Sequence, residues 1–222
     1  MQGSLDLDRP ELEQTPLRVC VTVGSSGLGL AIASAFHAEE AMVHVAEASP
    51  QRLAEVLGEH PGMHGSVTDV SQPEEVEAMA EEALAWMGGL DVLVNCAMVE
   101  GPRATLDHID YEDWDRTLRV NLSGMFYCMK QMIPVLRAQQ SGCIVNVAST
   151  SARTGLPLRS AFVASMAGVL GLTQNAAREL GPDQVRCNAV LPGVLLDDQA
   201  RALVEARARE RRISLEEAEG EL

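Results

Sequence analysis

Short apolar runs alternate with longer stretches of helical periodicity along most of the chain. The apolar runs predict strands over residues 17–23, 42–46, 90–94, 143–147 and 185–191. Between them, apolar residues recur at helical spacing and predict helices over 30–39, 50–57, 71–86, 110–137 and 161–180. Strands that alternate with helices predict a parallel α/β sheet, covered by helices on both faces and joined by right-handed crossovers.

Local signals predict where some helices begin and end. Ser71 is followed three residues later by Glu74, and this capping-box spacing predicts Ser71 as the N-cap of the helix over 71–86. Gly88 and Gly89 predict the end of that helix. Pro134 predicts a kink or an early end in the helix over 110–137, because proline lacks the N–H that the helix needs.

The chain of 222 residues is long enough for one domain. We expect a flexible leader over 1–16 and the folded domain over 17–196. From residue 197 to residue 222 the composition shifts to Ala, Arg, Glu and Leu, which predicts one or two charged amphipathic helices that form a flap.

The net charge and the cysteines indicate which binding partners and which cellular compartment to expect. The chain has 32 acidic and 17 basic residues and a net charge of −15, which repels nucleic acid and anionic membranes, so we expect neither as a partner. No apolar run approaches the ~20 residues that span a bilayer. The five cysteines are dispersed and have no C-x-x-C spacing, which favours buried thiols in a reducing cytoplasm.

A glycine-rich segment joins the first strand to the first helix. A strand, a glycine loop and a helix N-terminus form the arrangement that holds a pyrophosphate, with Gly24, Gly27 and Gly29 in the loop. Glu47 ends the second strand, where a carboxylate accepts hydrogen bonds from an adenosine ribose and repels a 2′-phosphate, so it favours NAD over NADP. A tight turn that holds nothing accounts for the glycines equally well.

Two histidines lie four residues apart, at His60 and His64, which on a helix would suit a metal ion. Pro61 and Gly62 lie between them and break a helix, so this stretch is predicted to be a surface loop. We expect no metal site.

Several motifs together resemble the short-chain dehydrogenase/reductase family. They are Thr22 to Gly29, Leu93 to Ala97, Val120 to Leu122, Asn146 to Ser149 and Asn188 to Gly193, in the family's order. The resemblance covers residues 17–222. It implies a Rossmann-type, doubly wound parallel sheet in three layers, a small-molecule substrate, and a homo- or hetero-oligomer formed through the long helices.

The resemblance also implies a set of cofactor-binding residues. These are Gly24, Ser26, Gly27, Leu28, Gly29, Glu47, Asp69, Val70, Asn95, Ala97, Pro192 and Gly193. Val23, Met98 and Asp197 stand where the family has glycine, glycine and threonine. We therefore expect a weakened NAD site whose adenosine half is better kept than its nicotinamide half.

The catalytic residues of the family are only partly present. Asn121 and Ser149 match the family's Asn and Ser, but Phe162 and Met166 occupy the positions of its Tyr and Lys. Phenylalanine has no proton to give, and methionine has no charge that would lower the pKa of a neighbouring phenol. Loss of a positioned acid/base lowers a rate by about 10²–10⁴-fold.

Three functions remain open from the sequence. The first is a redox-inactive homologue or partner subunit. The second is a non-redox isomerase, lyase or cyclase, in which Ser149 and Asn121 polarise a carbonyl group. The third is an NAD-dependent oxidoreductase of a small hydroxy or carbonyl substrate with another proton path. The family's final strand is not matched, so we expect the strand over 185–191 to be a sheet edge, and the sheet to be truncated after its sixth strand.

Overall fold

The computed structural model describes residues 15–23, 27–193 and 198–219. Its strands are β1 (Arg18–Thr22), β2 (Met42–Glu47), β3 (His64–Val67), β4 (Val92–Asn95), β5 (Gly142–Val147) and β6 (Val185–Val190). They form one six-stranded sheet in the order β3-β2-β1-β4-β5-β6. Every neighbouring pair is parallel. The predicted doubly wound α/β fold is confirmed.

Helices connect the strands. They are α1 (Gly27–Ala38), α2 (Pro50–Glu59), α3 (Pro73–Met87), α4 (Tyr111–Leu118), α5 (Gly124–Gln139), α6 (Ser151–Thr154), α7 (Ser160–Leu180), α8 (Asp198–Arg211) and α9 (Leu215–Glu219). A π-helical turn over Arg119–Ser123 joins α4 to α5. The helix predicted over 110–137 is therefore one continuous helical segment. The leader expected over 1–16 lies almost wholly outside the described residues.

The sheet separates two apolar cores, because side chains alternate between its faces. Val19 and Val21 of β1 pack with Ala33 of α1 and with α2 on one face. Cys20 points the other way, into the core that α3 and α5 form. Both faces are therefore covered, which is why the strands are near-continuous apolar runs.

β3 is the strand that the sequence pattern missed. His64 was expected in a surface loop, but it begins β3 and pairs with His44 of β2. The strand has four residues and no alternation of apolar positions, so only its pairing identifies it. Gly65 is required there because a Cβ atom would lie 2.7 Å from the Val45 carbonyl oxygen.

The predicted capping box at Ser71 is wrong. α3 begins at Pro73, its N-cap is Gln72, and no side chain caps it. Proline disfavours helical backbone in the residue before it, and Gln72 is accordingly extended, with φ −107° and ψ 109°. The helix ends as predicted, with Gly88 in the left-handed region.

Pro134 does not end its helix early, contrary to one of the two expectations. It lies inside α5, which continues to Gln139. Met129, Met132 and Leu136 on both sides of the proline are buried in the core. This burial holds the helix together across the missing hydrogen bond.

β6 lies at one end of the described sheet, so the expected edge position is observed in that part of the chain. Arg186 and Asn188 of β6 are exposed. α8 and α9 form the two charged helices, and they pack on each other through Val204, Ala208 and Ala218.

The buried ring of His44 predicts a pH-dependent stability. Burial, and next the charge of neighbouring His64, lower the pKa of His44 to about 4. The unfolded chain takes up this proton near its ordinary value of about 6.5, so native stability falls as the pH drops from about 6.5 towards 4. We expect the free energy of unfolding of the wild-type protein to fall by about 2 kcal/mol between pH 7 and pH 5. A His44→Gln variant lacks this titrating group and should not show that fall. Urea denaturation at both pH values measures it, and equal pH dependence in the two proteins would contradict it.

Candidate functional site

A cleft of about 970 Å³ opens at the carboxyl ends of the strands. It lies beside the end of β1, which has β2 on one side and β4 on the other. At this point the strand order reverses, because β2 and β3 lie on one side of β1 and β4 to β6 on the other. Open α/β sheets bind ligands at this point. Glu47, Asp69, Val70 and Ala97 line the cleft, as expected of cofactor-binding residues.

Glu47 provides the clearest sign of a ligand. It ends β2 and is 5% exposed. Its Oε1 accepts a hydrogen bond of 2.9 Å from the backbone N–H of Ser49, whereas its buried Oε2 has no partner. A buried oxygen without a hydrogen bond is costly, so this atom is suited to accept one from a bound molecule.

The glycine loop is described in part. Gly24 and Ser26 lie outside the described residues, and Gly27, Leu28 and Gly29 form the first turn of α1. A Cβ atom on Gly29 would lie 3.0 Å from the Val23 Cα and 3.3 Å from the Thr22 carbonyl oxygen. Glycine therefore lets the helix N-terminus lie directly against the end of β1, which is where a phosphate group binds in this arrangement.

Val23 is the last described residue before the glycine loop. Its N–H donates to the Ala46 carbonyl oxygen at 2.8 Å, so the pairing of β1 with β2 continues through Val23. Val23 is buried and also lines the cleft. Val23 does not have a positive φ, so the backbone at this position does not require a glycine.

A threonine holds the segment after β4. The Thr22 hydroxyl oxygen accepts the N–H groups of Cys96 and Ala97 at 2.9 and 3.0 Å. Ala97 and Met98 are thereby placed on the cleft wall. Asn95 is fully buried instead, and its amide donates to Asn146 at 2.8 Å. Among the described residues Asn95 is not part of the cleft lining, and its Oδ1 is buried without a hydrogen-bond partner, as is Oε2 of Glu47.

Asn121 is a structural link in this protein. It is fully buried in the π-helical turn. Its Oδ1 accepts the Val99 N–H at 2.8 Å, and its Nδ2 donates to the Val99 carbonyl oxygen at 2.9 Å and to Ser165 at 3.0 Å. All of its hydrogen-bonding atoms are therefore engaged, and it is not among the cleft-lining residues.

Ser149 follows β5 and is half-buried. Its hydroxyl oxygen accepts from the N–H and the hydroxyl of Ser151 at 3.2 and 2.9 Å. No base contacts it in the part of the chain that is described. Nearby, the Pro192 carbonyl oxygen accepts the Thr150 N–H at 3.2 Å and Gly193 is exposed, while Asp197 lies outside the described residues.

An apolar cluster contains the two residues that replace tyrosine and lysine. Met166 of α7 is fully buried with Met125, Ala148 and Val169, and Phe162 and Met98 pack against this group. None of these side chains gives or accepts a proton. The positions of the family's Tyr and Lys therefore lie on α7 in apolar surroundings, whereas Asn121 and Ser149 lie in the π-helical turn and after β5.

Charged residues on α4 and the following turn also line the cleft, and the sequence analysis missed them. They are Glu112, Asp115, Arg116 and Arg119. Their spacing of three and four residues places them on one helical face, a signal that was available in the sequence. Ser49 and Arg52, at the start of α2, line the opposite wall.

Within the described ranges, no three His, Cys, Asp or Glu side chains come together as metal ligands. The same ranges contain no helix long and apolar enough to cross a membrane.

Residues 18–208 match the family model for short chain dehydrogenases. The chain belongs to the short-chain dehydrogenase family. A probable galactose dehydrogenase of Rhizobium meliloti (strain 1021) is 37% identical over 190 residues, which cover 83% of this chain and 74% of that protein. A D-beta-hydroxybutyrate dehydrogenase of Cupriavidus necator is 35% identical over 208 residues, covering 91% and 80%.

Solved structures of short-chain dehydrogenases have the same fold. An NAD+-bound xylitol dehydrogenase superimposes with a TM-score of 0.79 and 27% identity, over 88% of this chain and 78% of that one. An actinorhodin polyketide ketoreductase variant with NADPH gives a TM-score of 0.82 and 30% identity, over 91% and 80%. The fold and the family expected from the motifs are confirmed.

Proposed function

We propose that this short-chain dehydrogenase homologue binds NAD mainly through the adenosine half of the site, and that it does not transfer hydride at a standard rate. The observation that carries the proposal is the apolar cluster around Phe162 and Met166. A chain of this kind serves as a redox-inactive binding protein or partner subunit.

The adenosine half of the site fits NAD. Glu47 supplies an unpaired buried acceptor for a ribose hydroxyl. Gly29 lets the N-terminus of α1 lie against the end of β1, and the helix dipole at that end favours an anion. Asp69, Val70 and Ala97 enclose the cleft between these two points. A carboxylate at Glu47 repels a 2′-phosphate, which favours NAD over NADP.

The residues of the nicotinamide half support little chemistry. NAD, when bound, supplies or accepts a hydride, and an alcohol or ketone then needs a partner for its proton. Phe162 has no such proton, and Asn121 is engaged with Val99 and Ser165. Ser149 is the one hydroxyl left at the predicted catalytic positions, and no base contacts it within the described residues. This also weakens the non-redox alternative, which needs Asn121 and Ser149 to polarise a carbonyl together.

A titration with a fluorescent cofactor tests the proposal. We expect NADH to bind more tightly than NADPH, and expect no turnover with galactose, D-beta-hydroxybutyrate or a 3-oxoacyl thioester, the compound classes named for the relatives. Rapid oxidation of galactose or D-beta-hydroxybutyrate with NAD+, or rapid reduction of the 3-oxoacyl thioester with NADH, would contradict the redox-inactive part. Absence of NADH binding would contradict the rest.

The Glu47→Gln variant is expected to bind NADH about 10-fold more weakly. A hydrogen bond to a charged group contributes about 1.5–3 kcal/mol, and the amide retains part of it. The affinity for NADPH should change less, because the repulsion of its 2′-phosphate is removed. Fluorescence titration measures both, with Glu77→Gln on exposed α3 as the matched control. Equal losses for the two cofactors would argue against a ribose contact at Glu47.

A second candidate is an NAD-dependent oxidoreductase with another proton path. The relatives are named as dehydrogenases and reductases, and they are 34–37% identical to this chain. For this candidate the same substrate panel gives turnover in the wild-type protein, and Ser149→Ala abolishes it.

A further inference from the structure

A chain of hydrogen bonds runs from the surface beside α3 to the cleft. His64, whose side chain is 37% exposed, has its Nε2 3.8 Å from Glu82 Oε1. Its Nδ1 lies 3.1 Å from Nδ1 of His44. Nε2 of His44 lies 3.0 Å from the Ser66 hydroxyl oxygen, which lies 3.2 Å from that of Thr68. Thr68 lines the cleft, so the chain links a surface imidazole to the ligand site.

The direction of these hydrogen bonds depends on the charge of His64. A neutral imidazole has one N–H, and the carboxylate of Glu82 favours it on Nε2 of His64. Nδ1 of His64 then accepts from Nδ1–H of His44, and Nε2 of His44 accepts from Ser66. Ser66 in turn accepts from Thr68. In this state the Thr68 oxygen presents only lone pairs to the cleft.

We propose that protonation of His64 reverses the whole chain and turns Thr68 from an acceptor into a donor at the cleft. One proton enters at Thr68, which passes its own proton to Ser66. Ser66 passes a proton to Nε2 of His44, and His44 passes the one on Nδ1 to His64. Each intermediate group gains one proton and loses one, so all of them remain neutral. The added positive charge is found on His64 at the end. Thr68 is then free to donate to a ligand or to the Ser66 carbonyl oxygen, 3.5 Å away.

The surroundings place the charge on His64 rather than on His44. His44 is fully buried, and burial lowers its pKa to about 4. His64 reaches solvent, faces Glu82, and stacks on Trp86 with ring centroids 5.0 Å apart and an interplanar angle of 18°. An aromatic face attracts a cation. Within the described chain, His44 from β2 and Glu82 from α3 are the titratable contacts of His64.

The consequence for binding rests on the proposed nucleotide function. Glu47 and the acceptor form of Thr68 together suit the hydroxyl and amino donors of an adenosine group. When Ser66 donates to Thr68, one of the two lone pairs of the Thr68 oxygen is occupied and its proton faces outwards, which weakens acceptance from the ligand and corresponds to about 3–10-fold in affinity. The effect requires a proton on His64, so it is measured as the difference in binding between pH 8 and pH 5.5.

Nitrogen-15 NMR of the histidine-labelled chain tests the reversal without any ligand. We expect the proton of His44 on Nδ1 at pH 8 and on Nε2 at pH 5.5, whereas in His64→Gln it stays in one place. Glu82→Gln, at an exposed position, should shift the change to lower pH. The exposed His108→Gln should leave the change intact. A His44 ring that keeps the same tautomer at both pH values overturns the proposal.

Calorimetric titration with NAD+ tests the link to the cleft. The wild-type affinity should fall about 3–10-fold more between pH 8 and pH 5.5 than that of His64→Gln. An equal fall in both proteins overturns the link. If NAD+ binds at neither pH, the proposed nucleotide function fails, and the NMR experiment still decides whether the chain reverses.

Discussion

The double variant Phe162→Tyr with Met166→Lys is expected to oxidise alcohols with NAD about 10²–10⁴-fold faster than the wild-type protein. The phenol supplies the proton acceptor that the apolar cluster lacks, and the ammonium lowers the pKa of that phenol by favouring its charged form. The rate of NADH formation with galactose or D-beta-hydroxybutyrate measures the gain. A wild-type protein that is already as fast as the double variant would contradict the expectation.

Folding of the double variant has to be controlled, because Met166 is fully buried and a buried ammonium is costly. Circular dichroism and NADH binding report whether the fold and the adenosine half survive. Phe162→Tyr alone changes only a half-buried ring and should raise ketone reduction by a smaller factor, since a protonated phenol suffices in that direction. The matched variant Phe162→Leu with Met166→Leu should give no gain. If the double variant is folded and binds NADH but stays inactive, the missing acid/base is not the cause.

Asn121→Leu is expected to lower the free energy of unfolding by about 2–4 kcal/mol. The change keeps the approximate volume but leaves the N–H and the carbonyl of Val99 without their partners, at 2.8 and 2.9 Å, and removes the bond to Ser165. Each buried group left unpaired costs about 1–3 kcal/mol. Urea denaturation measures the loss.

An exposed asparagine provides the control for this variant. Asn175 of α7 donates to Glu179 at the surface, and Asn175→Ala should change the stability by less than about 0.5 kcal/mol. If Asn121→Leu were equally harmless, the hydrogen bonds to Val99 would not hold the π-helical turn in place. Asn121 would then be free for the catalytic role that the resemblance implies.

Long apolar patterns carried most of the fold prediction. The runs that became β1, β2, β4 and β5 are largely apolar and buried, as expected for inner strands of a parallel sheet, whereas β6 alternates buried and exposed residues at the edge. Glu47 could likewise be placed at the ligand site, because the end of a parallel strand next to a glycine loop has a fixed position in such a sheet. The motifs sufficed for the family, which the match over 18–208 confirms.

Local signals failed where backbone constraints or pairing compete with them. Ser71 has the residue type of an N-cap, but Pro73 forces the preceding residue to be extended and moves the cap to Gln72. β3 carries no hydrophobic alternation, and its pairing with β2 defines it. Glu112 and Arg119 line the cleft. They do so because the helical segment of α4 and α5 packs beside the carboxyl ends of the strands.

Residue identity and spacing sufficed to predict five of the six described strands, the family, and the replacement of tyrosine and lysine by Phe162 and Met166. The contacts of individual residues, in contrast, depend on how the chain folds. Asn121 is hydrogen-bonded to Val99, and Glu47 has a buried oxygen without a partner among the described residues. His64 forms one end of a hydrogen-bond chain to Thr68. Hydrogen-bond partners and burial come from segments far apart in the chain, so no local pattern contains them.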